Sequence, residues 1–382
     1  MKKLVTSPFP TVEKFAKTYG HKWNGYQIAA AKTARAEQKL RKALQNDLSA
    51  KLGVGHNRLQ SSDSALVLFG SFARHEMLGG SDYDWALLVD GVVNINHITQ
   101  ARIIESAIRT KLKAPGASGT FGNMVFSHDL VHCIGGTSDS NINLTRRMLM
   151  LLESRWFNIT DTDTSPIWEN VVKNILKRYF EEDVHFTPQG NRRVPRFLLN
   201  DLTRYWRTIC VDYAAKYREQ DGAKWALRNA KIRFSRKLLY AAGLAFCMSC
   251  QLNPPKRFHL DLFGVQQDTS AEPYIDAALN FAKTPPLEYL AAFIQSYAKP
   301  TKRKRIVENI FGAYNDWLML LNDERARREL EKLDHSEAKN NAYFKKVRKS
   351  SEKFAEGLRE LFFDRRTDSN PIANLSLEYV GF

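Results

Sequence analysis

The residues best suited to chemistry lie between Phe69 and Asp84: a Gly70-Ser71 pair, Arg74, and the run Ser81-Asp82-Tyr83-Asp84. The glycine-serine pair leaves the short apolar run Ala65–Phe69, and the two acids return at the head of the next one, Asp82–Val89. Alternate residues of a strand share a face, so Asp82 and Asp84 are expected to project together. Two adjacent carboxylates repel each other, which is costly unless cations sit between them. Mg²⁺ suits such a pair, because it takes oxygen ligands from one or two carboxylates and from substrate phosphates. Two such ions, with Mn²⁺ as a substitute, can clamp the attacking and leaving oxygens of a phosphoryl displacement. Gly70 lets backbone approach a phosphate closely, and the N–H groups opening the following helix favour an anion. Ser71 adds a hydroxyl donor, and Arg74, one turn on, can neutralise phosphate charge. The local expectation is a nucleoside triphosphate held with its metals.

The elements that must position these residues can be read from periodicity. A run rich in Ala, Lys, Gln and Leu from about Trp23 to Leu52 predicts a long helix. Ala65–Phe69 and Asp82–Val89 predict strands, the second closed by Asp90-Gly91, and His97–Leu112 has helical spacing. Pro115–Gly122 reads as a loop, Asn123–Ile134 as a third strand and Thr145–Phe157 as a helix. Past residue 160 strand signals thin out and helical periods dominate. The expectation is an α+β chain, a mixed sheet with flanking helices followed by a helical domain. Its divisions are an N-terminal helical segment (1–60), a catalytic domain (61–160), a helical substrate-binding domain (161–366) and a C-terminal tail (367–382).

Composition narrows the class. The 382 residues are 43% hydrophobic and 11% aromatic, which suits globular domains with substantial cores. No apolar stretch approaches the roughly 18 residues of a membrane span, so membrane insertion is not expected. Four scattered cysteines make no disulfide framework, and the Cys247-x-x-Cys250 pair is a lone one on an apolar run. These features predict a cytoplasmic protein. The net charge of +16 is concentrated: residues 191–240 hold 13 Lys/Arg against 4 Asp/Glu. Such a field attracts phosphates, on nucleotides or on polynucleotides. Within it, Arg228, Lys231 and Ser235 would share a helix face, and Arg204, Tyr205, Trp206 and Arg207 interleave cations with base-stacking aromatics.

Gly-Ser, then Arg74, then Ser81-Asp82-x-Asp84 at this distance resembles the signature of the polymerase-β-like nucleotidyltransferase superfamily. The likeness is strong over about residues 64–91 and consistent in layout to residue 157. Within the superfamily, the size and helical second half resemble the cGAS/DncV-like (CD-NTase-like) enzymes of bacterial anti-phage defence and the Hailong-type polymerases. The resemblance implies template-independent, Mg²⁺-dependent transfer from an NTP or dNTP. The product would be a cyclic or linear oligonucleotide signal, acting through an effector protein encoded nearby. Ser81 belongs to the signature and is placed with Gly70, Ser71 and Arg74 in nucleotide binding. Related cyclases grip the triphosphate with a lysine and a serine on a helix, which selects Lys231 and Ser235. The superfamily's third metal-binding carboxylate falls to Asp129, with Asp139 in reserve. The Hailong-type likeness draws notice to Tyr379, whose hydroxyl could prime synthesis. Transfer onto a protein, an RNA such as tRNA, or a small molecule stays open as the alternative, since Ile134-Gly-Gly, Asn143-Leu-Thr-Arg-Arg and Leu151-Leu-Glu-Ser resemble the uridylyltransferase-like branch.

Overall fold

In the computed structural model the described residues are 7–52, 63–92, 94–116, 119–158, 166–183, 193–219, 222–252, 271–364 and 370–380. The architecture is α+β, with a small mixed sheet early in the chain and helices elsewhere. Helices α1 (Pro10–Tyr19) and α2 (Asn24–Leu52) precede β1 (Ser64–Phe69), and one helical turn, α3 (Gly70–Ala73), follows it. Then come β2 (Trp85–Val89), α4 (Ile95–Lys111), β3 (Asn123–Phe126), α5 (Ser127–Val131), α6 (Asn141–Leu152) and β4 (Ser154–Trp156).

The strands lie in the order β3-β2-β1-β4. β1 runs antiparallel to both β2 and β4, whereas β2 and β3 are parallel and joined by the α4 crossover. β1 and β2 are buried along their whole length because both faces of the sheet are covered, which is why their sequences read as unbroken apolar runs. Leu66, Leu68, Leu87 and Val89 face one apolar cluster with Leu40 and Leu44 of α2 and Ile104 and Ile108 of α4. Val67, Ala86 and Leu88 face the other, which also takes in α6 and the next helix, α7 (Pro166–Glu181).

Beyond Trp156 the described residues form no strand. After α7 the helices are α8 (Arg196–Glu219), α9 (Trp225–Lys231), α10 (Lys237–Ser249), α11 (Glu272–Lys283) and α12 (Pro286–Tyr297). They continue as α13 (Pro300–Val307), α14 (Ala313–Asn322), α15 (Glu324–Lys332), α16 (Ala342–Phe363) and α17 (Pro371–Val380). Two π-helical turns interrupt this series: Ile232–Arg236 joins α9 to α10, and Glu308–Gly312 joins α13 to α14. The segment 159–165, where the catalytic domain was expected to end, lies outside the described residues, and one apolar cluster runs from the sheet into these helices. The N-terminal helices also reach the second half. Glu288 of α12 accepts from the N–H groups of Thr11 and Val12, and Tyr26 of α2 donates to the Phe311 carbonyl at 2.6 Å.

Two sequence expectations are corrected here. The third strand stops at Phe126, and Ser127–Val131 is helical, so Asp129 lies on a short helix and not on a strand. The predicted helix Thr145–Phe157 ends at Leu152, where Glu153 turns the chain so that Ser154–Trp156 pairs with β1. Three residues are too few for an alternation to register against the Leu/Met-rich helix before them.

Candidate active site

Gly70, Ser71, Arg74, Ser81, Asp82, Asp84, Lys231 and Ser235 line one cleft, together with Glu76, Gly80, Arg236, Trp317, Leu318, Leu321 and Arg327. The sheet supplies one wall. Asp82 and Asp84 precede the first residue of β2, but the ladder already reaches Asp84. Phe69 N–H donates to the Asp84 carbonyl at 2.9 Å, prolonging the β1–β2 ladder. The strand alternation therefore holds: Tyr83 between them turns into the apolar cluster under α2, while both carboxylates line the cleft.

Gly70 has φ +64°, and a Cβ built there would sit 2.9 Å from Asp84 Oδ2. Glycine is thus required twice, for the left-handed backbone and for the carboxylate packed against it. The helix that follows is a single turn, so any anion must be held by its leading N–H groups and the Ser71 hydroxyl with little macrodipole behind them. Burial raises the Asp84 carboxyl to about 7; Arg236 opposes the shift, and Asp82 and Glu153 add to it. Asp82 Oδ1 lies 2.8 Å from Lys113 Nζ without a geometrically satisfactory hydrogen bond. Ser81 Oγ accepts from Leu78 N–H at 3.1 Å and closes the turn that leads into the acids.

The opposite wall is the π-helical turn. Its wide i→i+5 spacing lets Lys231 and Arg236, five residues apart, both reach the cleft along with Ser235. Solvent still reaches Lys231, yet its head is close-set. Desolvation and the Arg236 charge push its ammonium down to about 8, against the pull of Asp82 and Asp84. Phe234 of the same turn stacks on Trp317 with rings 5.1 Å apart and nearly parallel, which pins the turn to α14.

Arg74 has a different role from the one expected of it. It is buried, with Nε donating to Glu76 Oε2 at 2.9 Å and Nη1 to Glu153 Oε2. Glu153 is fully buried, and its second oxygen accepts from Arg236 Nη1. Glu76 in turn accepts from the Tyr314 hydroxyl of α14 at 3.0 Å. These ion pairs hold the Arg74 guanidinium firmly in its charged form against desolvation. Its charge is held by two internal carboxylates; Lys231, Arg327 and the partly exposed Arg236, which shares Glu153 with it, are the other cations lining the cleft. The chain reverses through His75, which has φ 59°; burial and Arg155 beside it drive the imidazole down to about 3, so it stays neutral. Across the mouth, Arg327 of α15 donates to the carbonyls of Gly79 and Gly80, and Lys113 also donates to Gly80.

The structure does not bring every expected residue here. Asp129 is half-exposed beside His128 and is absent from the cleft lining. His128 and Asp129 of α5 and Cys133 just beyond it offer ligand atoms within 4.8 Å of one another, a separate cluster. Asp139 is also elsewhere, paired with the buried Arg147, which bridges it to Asp201. Tyr379 lies on the docked helix α17 beneath the Arg196 guanidinium and outside the cleft. Tyr205 is buried and Trp206 stacks on Tyr240, so that aromatic pair serves packing. Glu153, Glu76, Arg236, Arg327 and Trp317 were missed as site residues. Arg236 had a signal in its place in the basic run beside Lys231, and Glu153 in the Leu151-Leu-Glu-Ser stretch.

No family model, curated protein or solved structure matches the chain. The site must therefore be judged on its own chemistry, a paired carboxylate facing a lysine, an arginine and two hydroxyls.

Two outcomes follow from these contacts. Glu153→Gln leaves two guanidiniums without their shared carboxylate and should cost about 3 kcal/mol or more in urea unfolding. By contrast, Arg328→Gln, which breaks the exposed pair with Glu324, should cost under about 1 kcal/mol. For Asp84, the folded carboxyl holds its proton to about pH 7 while the unfolded one loses it near 4, so native stability falls as pH rises through that window. Asp84→Asn carries no such penalty. In chelator, its melting temperature should exceed that of the unmodified chain at about pH 8, with the gap closing toward about pH 4. A gap independent of pH would contradict the assignment.

Proposed function

We propose that the protein is a metal-dependent, template-independent nucleotidyltransferase of the polymerase-β-like type, using an NTP or dNTP to build a cyclic nucleotide or short oligonucleotide. The observation that carries this reading is the convergence of Asp82 and Asp84 with Ser71, Lys231 and Ser235 in one cleft, from segments about 150 residues apart in the chain. Their oxygen donors suit Mg²⁺ or Mn²⁺, and the raised Asp84 carboxyl beside Asp82 is the strain that a bound cation would relieve. When bound, the ions would supply charge neutralisation of the phosphates and lower the pKa of the attacking hydroxyl.

Each residue has a task in that reaction. Asp82 and Asp84 hold the cations. Ser71 and the leading N–H groups of its turn bind the phosphate tail, and Gly70 keeps that backbone close to the carboxylates. Lys231, protonated at neutral pH, and Arg236 face the β- and γ-phosphates and stabilise pyrophosphate as it leaves. A bond forms from the acceptor hydroxyl oxygen to the α-phosphorus as the bond to the bridging oxygen breaks, and the hydroxyl proton is released to solvent.

The test is incubation with Mg²⁺ and each α-labelled NTP and dNTP, resolved on a denaturing gel and by thin-layer chromatography. A labelled ladder or cyclic product is expected, reduced by at least about 10³-fold in Asp82→Ala and in Asp84→Asn. Label found solely on an added RNA, protein or small molecule would keep nucleotidyl transfer but overturn the oligonucleotide product. Absence of incorporation with every nucleotide would overturn the reading as a whole.

A further inference from the structure

We propose that a groove beside the cleft, between α14 and α16, binds an anionic single-stranded nucleic-acid chain, which is the strand the cleft extends; that role rests on the nucleotidyltransferase reading. The groove is open to solvent and is lined by α14, α16 and the π-helical turn. Trp317 lines both it and the cleft, and the π-helical turn gives Phe234 to the groove and Ser235 to the cleft. The two concavities are thus neighbours across one aromatic wall.

The chemistry of the groove is that of a polyanion track. Lys346, Lys349 and Lys353 stand at i, i+3 and i+7 on one face of α16, and all three line it. Lys349 and Lys353 make no ion pair among the described residues, although Glu352 and Glu356 lie on the same helix. Lys346 Nζ lies 5.8 Å from the centre of the Tyr343 ring, and Tyr343, Met319 and Leu320 add apolar surface to the groove. Two carboxylates also line the groove, but both already have donors. Asp316 accepts from the Ser350 hydroxyl at 3.4 Å, and Asp323 caps α15 by accepting from the N–H groups of Arg325 and Ala326. A merely solvated basic helix face would be convex. Here the lysines line a concavity with the half-buried Tyr343 ring among them and the buried Phe234–Trp317 pair behind it. A basic groove with an accessible aromatic ring is the combination that binds single strands with little sequence preference.

The experiment is fluorescence anisotropy in EDTA, which blocks turnover, with 5′-fluorescein oligo(dT) and oligo(rU) of twelve nucleotides. Binding is expected for at least one of the two, and the pair decides between DNA and RNA. Lys346→Glu/Lys349→Glu/Lys353→Glu should weaken it by at least about tenfold and flatten the log–log salt dependence by about 2, for three lost phosphate contacts. The milder Lys→Gln triple variant, with unchanged circular dichroism, should move in the same direction. Unaltered affinity in the Gln variant, or competition by a poly-glutamate peptide equal to that of the oligonucleotide, would overturn the groove. Thermal shift by MgATP separates the two readings. A shift retained in both lysine variants with no lysine-dependent binding rejects the groove alone. Lysine-dependent binding with no MgATP shift in the unmodified chain rejects the role assigned to the cleft.

Discussion

The arrangement hinges on Glu153, a fully buried carboxylate held between Arg74 and Arg236. Arg74 follows the glycine-serine turn, Glu153 lies at the joint between α6 and β4, and Arg236 ends the π-helical turn of the second half. One carboxylate therefore fixes three chain segments at the edge of the sheet. Burying these charges is expensive, and their mutual attraction repays that only with the geometry kept tight. The distance between the acid-bearing wall and the lysine-bearing wall is thereby set by electrostatics as well as by packing. Tyr314 on Glu76 and Trp317 on Phe234 brace the same joint from α14.

This frame allows the cleft to hold groups that would otherwise be unfavourable together. Asp84 is pressed against Gly70, desolvated and set beside Asp82, which is why its carboxyl resists ionisation. Lys231, although solvent reaches it, has its ammonium weakened by crowding of its head and by the Arg236 charge beside it. Each wall concentrates one sign of charge that an incoming cation or phosphate would relieve. Such mutual strain needs rigid supports. The paired strands supply them for the acids and the stacked Phe234–Trp317 pair for the cations.

Much of this was legible in the sequence where the determinants are local. The apolar runs of β1 and β2, the glycine-serine turn between them and the one-residue spacing of Asp82 and Asp84 are short-range features, and they fixed one wall of the cleft. Helical spacing inside the basic run placed Arg228, Lys231 and Ser235 on one face, and the resemblance to related cyclases selected Lys231 and Ser235 from it. What sequence missed depends on long-range partners. Glu153 fell inside the expected helix Thr145–Phe157 and was noted only within Leu151-Leu-Glu-Ser, because its structural meaning comes from arginines 79 and 83 residues away. Arg74 was read as a phosphate ligand for the same reason: its two acidic partners are not visible from spacing. Asp129 was chosen from a strand pattern that extended eight residues too far, to Ile134 instead of Phe126, and the short helix α5 carries it away from the cleft.

The central claim is that Asp82 and Asp84 hold the divalent cations while Lys231 and Arg236 hold the phosphates. Its most direct measurement is a crystal structure with Mn²⁺ and a non-hydrolysable nucleoside triphosphate, using anomalous scattering to locate the metal. The account predicts manganese between the Asp82 and Asp84 carboxylates, with the triphosphate running from Ser71 toward Lys231. Manganese confined to the His128–Asp129–Cys133 cluster, or a triphosphate bound away from Ser71, would contradict it.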